Sequence, residues 1–247
     1  MRRSNRRARP RRLQCVVLVA TRSERPEPQC ESVSIRPLVA ADADFAALLH
    51  AEALPHGFFA SLGHRYLRAY YMSFLDSPHG CAFAAGIEGA PIGFVVGSLD
   101  PVAHRRSTIR RHGARLALEG GRALVRHPGL GFDFLSTRLG RYTKGILRTL
   151  RPGPAPAPAG EHLRSQGGPG VLSHVAVLPA ARGWGAGEAL VDAFVMEARR
   201  RGVCRLELLT LAEGVGASSF YAHLGWRRGE LLVDGDHQYV KFELELG

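Results

Sequence analysis

The sequence predicts an α/β (α+β) domain: a mixed, mostly antiparallel central sheet flanked by helices, with a helical insertion. Three observations predict it. VLSHVAVL alternates like a strand and runs through a glycine-rich turn into an amphipathic helix. CRLELLTL follows that helix as a second strand, and a strand–helix–strand order implies a right-handed crossover within one sheet. WRRGELLV and HQYVKFELEL flank Asp234–Gly235, a hairpin signal, and close the chain with two antiparallel strands.

The remaining elements fall into place in order. Residues 1–31 read as a basic, disordered tail. MRRSNRRARPRR followed by LQCVVLVA has the outline of a signal peptide, but the apolar run is short and no A-x-A site follows. An overlong reading-frame start is the other explanation of this tail. The domain then spans 32–247. SVSIRPL alternates as a strand. ADADFAALLHAEAL is a helix with aspartates near its positive end, and GHRYLRAYYMSFLDS is a second helix. CAFAAGIEGAPIGFVVGSL reads as a hairpin turning at Glu88–Gly89–Ala90–Pro91. Residues 101–170 form an insertion of two Arg-rich helical stretches and a Pro/Gly-rich linker, RPGPAPAPAGEHLRSQGGPG. In the last part, a helix over Ala189–Arg201 presents Leu190, Val191, Phe194, Val195 and Ala198 on one face. VGASSFYAHLG is a short helix capped by Gly225.

Charge is localised. The chain carries a formal net charge of +11, but residues 1–30 hold +7, residues 101–170 hold +10 and the remainder −6. This argues against a globally basic nucleic-acid binder and leaves two basic segments that could meet an anion. The plain reading of the Arg-rich helices is a solvated face; contact with nucleic acid or an anionic membrane is the less favoured one. Four cysteines lie far apart without metal spacing, which points to a reduced, cytoplasmic compartment. No apolar run reaches the roughly 18 residues of a membrane span.

The stretch PAARGWGAGEAL places Gly183, Gly185 and Gly187 between a strand and a helix. The first turn of a helix carries unpaired N–H groups and the positive end of the dipole, and glycines let a phosphate approach them. Two familiar phosphate loops fail on the residues. A Walker loop needs Lys then Ser or Thr where Glu188 and Ala189 stand, and a dinucleotide fingerprint needs glycine where Glu188 stands.

Arg182 to Gly187 does satisfy Arg-x-x-Gly-x-Gly, directly after a V-x-V-x-P strand end. With SSFYAHLGW, Ser218 to Trp226, this stretch resembles the pyrophosphate loop and the Phe-Tyr-x-x-Leu-Gly element of the GNAT superfamily of N-acetyltransferases. The resemblance covers 171–247 closely and 33–100 more loosely. It implies a GNAT-like acyl-CoA N-acyltransferase fold and an acetyl-CoA-dependent N-acetyltransferase without a metal, in which a small-molecule or peptide amine attacks the thioester directly. It implies that Val175, Ala176 and Val177 pair with the pantetheine arm. It implies that the amides of Gly183, Trp184, Gly185, Ala186, Gly187 and Glu188, with help from Arg182, hold the pyrophosphate. It places the family's proton-donating tyrosine on Tyr221. Some relatives carry a carboxylate where Leu209 stands, so the base falls to Glu207, two residues earlier on the same face, or to His174. Strand parity sets His174 opposite Ser173. Gly214 stands where relatives often have Asn near the cofactor. Phe58, Phe59 and Tyr66 suggest an apolar acceptor wall, and Asp234 and Asp236 an attraction for an ammonium group. Two other classes compete: a CoA-sensing module without turnover, and an RNA- or membrane-associated protein acting through its basic segments. Monomer and homodimer are equally compatible with the sequence.

Overall fold

A computed structural model of the chain describes residues 32–54, 58–126, 168–212, 217–234 and 237–247, with the backbone alone at 58, 234 and 237. The tail, the second Arg-rich helical stretch, the Pro/Gly-rich linker up to residue 167, Gly214 and Asp236 lie outside the described residues, and Gly170 at the linker's end already belongs to a strand.

Seven strands form one sheet: β1 (Ser34–Pro37), β2 (Gly80–Ile87), β3 (Ala90–Ser98), β4 (Gly170–Val177), β5 (Arg205–Leu211), β6 (Arg227–Asp234) and β7 (His237–Glu245), in the order β1-β2-β3-β4-β5-β7-β6. Every neighbouring pair is antiparallel except β4 and β5. The helices are α1 (Ala43–Ala53), α2 (Phe58–Ser61), α3 (His64–Leu75), α4 (Pro101–Arg126), α5 (Ala186–Arg200) and α6 (Ala217–His223). Among the described residues no helix is long and apolar enough to cross a membrane.

Two of the element boundaries that differ from the sequence reading have a clear local reason. The β2–β3 turn uses only Glu88 and Gly89, with φ of 49° and 83°. Two left-handed residues give the twist that a two-residue hairpin needs, so Ala90 and Pro91 already belong to β3. Helix α5 begins at Ala186, three residues before the apolar periodicity does. Gly185, with φ of 79°, caps it, and the amide of Ala189 donates to the carbonyl of Gly185 at 3.0 Å.

The two faces of the sheet are covered differently. On one face, Leu190, Val191, Phe194, Val195 and Ala198 of α5 pack with Leu206 and Leu208 of β5, Val240 and Phe242 of β7, and Tyr221 and Trp226 at α6. Those five α5 residues are the stripe that the periodicity predicts. On the other face, Leu49 of α1 and Leu67, Tyr71 and Phe74 of α3 bury Ala84, Phe94, Val96 and Ala176 of β2, β3 and β4. Helix α4 packs on the outside of α3. Full burial of each large apolar side chain contributes about 1.5–3 kcal/mol. The entry to α1 is fixed by Asp42, which is buried. It accepts from both guanidinium ends of Arg36, at 2.6 and 2.8 Å, and from the amide of Val39 at 2.9 Å. The Arg36 hydrogen bonds hold the Asp42 carboxyl below its ordinary pKa.

Candidate active site

The site begins where two strands part. β4 and β5 pair only at Gly170 with Leu206 and Val171 with Glu207, although β4 runs on to Val177 and β5 to Leu211. Beyond Val171 the facing edge of β4 makes no ladder with β5, so its backbone groups there are open to a ligand. A bulge sits at the same place. Gly97 faces Leu172 and Val96 faces His174, which leaves Ser173 as an extra residue in β4. Leu172 and Val175 therefore both turn toward α5, and Ser173 and His174 both turn away from it. Parity put Ser173 and His174 on opposite faces; the bulge puts them on one. Gly97 is required here. A Cβ on it would lie 2.3 Å from the carbonyl oxygen of Val171 and 2.6 Å from the ring of Phe194.

The glycine loop lies at the mouth of this opening. After β4 a short 3-10 turn, Pro179–Ala181, leads to Gly183 and Gly185, with φ of 82° and 79°. A Cβ at either glycine would meet nothing within 4 Å, so the space before the loop is open. No side chain caps α5, and its first-turn amides and positive dipole end face outward from a 15-residue helix. The loop, β4 and the end of α1 enclose a cleft of about 520 Å³. Its walls include Val175, Ala176, Val177, Arg182, Gly183, Gly185, Ala186, Gly187 and Glu188. Trp184, 57% exposed, is not among the lining residues. Backbone donors, an open strand edge and a nearby arginine fit a pyrophosphate followed by an amide-bearing arm. The cleft also recruits Ala53 and Leu54 from α1 and Phe220 from α6, which the motif reading did not include. Phe220 stands beside the tyrosine in the same Phe-Tyr pair, and that adjacency is the signal that could have found it.

The three catalytic candidates sit in different surroundings. Tyr221 is 8% exposed, with its ring against Phe220, Trp226 and Phe242. Among the described residues its hydroxyl has no hydrogen-bond partner, and burial pushes its pKa up to about 12. It is a protonated donor throughout the physiological range.

Glu207 lies in a second cavity, of about 400 Å³, on the sheet face away from α5 and α6. Its carboxylate is 3.0 Å from the Lys241 ammonium and 3.5 Å from the Arg205 guanidinium. Leu209, Glu230, Leu232 and Ser173 share that wall.

His174 lines neither cavity. Its Nε2 shares a hydrogen bond with the Tyr70 hydroxyl at 3.2 Å, and its ring meets His50 edge-on at 4.8 Å. Burial, with His50 adding to it, lowers its pKa to about 3. His50 pairs with the Tyr71 hydroxyl at 2.6 Å and is held at about 4 by burial. Both imidazoles are neutral at pH 7.

The acceptor wall suggested by the aromatic residues lies elsewhere. Phe59 stacks on Tyr66 and Tyr70, at 5.9 and 5.0 Å, and neither Phe59 nor Tyr66 lines either cavity. The side chains of Phe58, Asp234 and Asp236 fall outside the described set. Sequence reasoning missed Lys241 and Glu230. Period-two alternation of Lys241 and Glu243 with Val240 and Phe242 marks the polar face of β7 and could have found Lys241. Among the described residues no cluster of His, Cys, Asp or Glu is placed to hold a metal. Cys81 is buried, with burial pushing its thiol to about 12, and Cys204 is exposed on the chain leading into β5.

The comparisons agree with this geometry. A family model described as an acetyltransferase (GNAT) domain matches residues 158–228, which span β4, the glycine loop, α5, β5 and α6. No curated protein is significantly similar to the chain. Among solved structures, the fold is similar to Ard1 from Thermoplasma volcanium, at 13% identity and a TM-score of 0.51, covering 87% of this chain and 97% of that one. It is similar to an N-acetyltransferase from Staphylococcus aureus Mu50, at 12% identity and a TM-score of 0.52, covering 87% and 99%. It is also similar to a ribosomal-protein-alanine N-acetyltransferase from Brucella melitensis, at 15% identity and a TM-score of 0.51, covering 86% and 99%. Identities this low speak for the shared fold. The splayed strands and the glycine loop both lie within the segment that the GNAT acetyltransferase domain model matches.

Proposed function

We propose that the protein is an N-acetyltransferase that moves the acetyl group of acetyl-CoA to a primary amine by direct attack on the thioester. The observation that carries this reading is the opening between β4 and β5, with the uncapped α5 amides at its mouth and a separate cavity on its far side. A two-substrate reaction needs two approaches to one point, and a cavity on either side of the parted strands supports that reading.

Acetyl-CoA, when bound, supplies a thioester whose acyl carbon accepts the amine nitrogen as the carbon–sulfur bond breaks. The chain's own groups do the rest. The amides from Gly183 to Glu188 hold the pyrophosphate, and the free edge of Val175–Val177 orients the arm. Tyr221 Oη, protonated up to about 12, donates toward the departing sulfur. Glu207 faces the acceptor cavity and receives the proton that the amine sheds. Lys241 holds that carboxylate at 3.0 Å, which sharpens its position. His174, held at about 3 and tied to the Tyr70 hydroxyl, serves as packing behind the strand.

The reading is tested by free-thiol release from acetyl-CoA with a panel of primary amines, checking the acetylated product by mass. Amine-dependent thiol release with an N-acetyl product supports it. Tight acetyl-CoA binding with no transfer to any amine would favour a cofactor-sensing module instead.

A further inference from the structure

We infer that helix α4 is a docking surface for an anionic lipid bilayer. The helix lies flat on the surface, with Leu118 and Val125 entering its apolar edge and the surrounding arginines on the lipid phosphates. Neither cavity takes part, so the acetyl-transfer reading stands or falls separately.

The first observation is which side of α4 is already packed. His104 is buried and stacks on the ring of Phe74 in α3, with ring centroids 4.5 Å apart. Ala123 is buried, and a Cβ on Gly120 would lie 3.6 Å from the Tyr66 ring. His112 pairs with Asp76 at the end of α3, 2.9 Å away. The helix commits this side to α3, and its other side faces outward.

The second observation is an apolar strip on the outer side. Ala114, Ala117, Leu118, Gly121 and Val125 fall at helical spacing there, and all five are exposed. Leu118 is 52% exposed and Val125 83%. Scattered apolar residues are ordinary on a surface, but residues at this spacing form a continuous strip. Alanine and glycine around them leave Leu118 and Val125 standing proud of the helix.

The third observation is charge. α4 holds seven arginines, all exposed, against one acid, Glu119. The Glu119 side chain is turned inward and pairs with Arg122 at 2.9 Å. Arg111, Arg115, Arg122 and Arg126 run along one edge of the apolar strip, and Arg106 and Arg110 extend the same face toward the helix start. Guanidinium groups pair well with phosphates. A nucleic acid would use the arginines and leave Leu118 and Val125 in water. A bilayer surface uses both, as it does with other basic amphipathic helices that lie in the interface.

The test is co-sedimentation of the full chain with vesicles of phosphatidylcholine containing about 30% phosphatidylserine, beside phosphatidylcholine alone and beside binding to polyuridine RNA. The wild type should bind the mixed vesicles at least about tenfold more tightly than the neutral ones. An arginine close to such a surface contributes about a fivefold change, so Arg115→Gln with Arg126→Gln should weaken binding about twenty-fivefold. Leu118→Gln with Val125→Gln changes no charge. It should weaken vesicle binding about tenfold and leave any RNA binding as it was. All four positions are exposed, so both double variants should keep the wild-type Tm. No vesicle binding by the wild type would overturn the inference and leave the strip to another segment of this chain or to a second copy. Vesicle binding unchanged in either double variant would overturn it too, by assigning the contact to basic residues elsewhere. RNA binding tighter than vesicle binding, and indifferent to the apolar pair, would overturn it in favour of a nucleic acid.

Discussion

The two cavities flanking the parted strands are built from different materials. The cleft before the glycine loop is largely backbone: glycines at φ near 80°, the first turn of α5 and a free strand edge. The second cavity is largely side chain: Glu207, Lys241 and Glu230 on a sheet face that α1 and α3 cover only as far as β4. A backbone site is specified by what is absent, the Cβ atoms, and tolerates change around it. A side-chain site is specified by what is present and shifts with each substitution.

That contrast can be broken or sharpened in several ways. On the α5 side, Gly97→Val drives a side chain into Phe194 and the carbonyl of Val171, the last β4 residue paired with β5. Overpacking of this kind costs about 1–3 kcal/mol or more, read as a fall in Tm with loss of cofactor binding.

Acid should act next, on the α1–α3 side. Burial favours the neutral forms of His50 and His174, with pKa values of about 4 and 3 against an ordinary 6.5. That stabilisation is present above pH 6.5 and is lost as pH falls through 4 and 3, at roughly 3 kcal/mol for His50 and roughly 5 kcal/mol for His174, because the unfolded chain takes up protons that the folded one refuses. Denaturant midpoints between pH 7 and 4 should drop steeply, and less so in His50→Gln.

For catalysis, Tyr221→Phe should lower kcat about a hundredfold with acetyl-CoA affinity held, since removing a positioned acid typically costs 10²–10⁴. Glu207→Gln should lower kcat about tenfold, a loss that narrows as pH rises and the amine deprotonates unaided. The smallest effect should be Arg182→Ala. The side chain is exposed, and about a threefold loss of acetyl-CoA affinity, measured at two salt concentrations, is what a screened charge supplies. A loss as large as that of a glycine substitution would mean that the phosphates are held by side chains after all.

The same contrast explains what was legible in the sequence. Gly183, Gly185 and Gly187 announce a close approach because glycine is costly anywhere else in a strand–helix junction. The α5 stripe announces its core because its period is local. The facing of Ser173 and the aim of Glu230 were not legible. Each depends on a bulge, one set opposite Gly97 by the ring of Phe194 and one set opposite Lys241, and a one-residue shift reverses every later side chain. The stacking of Phe59 on Tyr66 and Tyr70 was not legible either, since it depends on how α2 meets α3.

The most direct test of the central claim, that the α5 loop holds the pyrophosphate of acetyl-CoA, is calorimetric titration of acetyl-CoA into the full chain, wild type beside Gly185→Asp. Aspartate there strains a backbone at φ 79° and sets a negative charge at the helix N-terminus, where the phosphates would lie. Micromolar binding by the wild type and a loss of about a hundredfold or more in the variant is the expected result. No binding by the wild type, or equal binding by the two, would contradict the claim and leave the glycines as a turn.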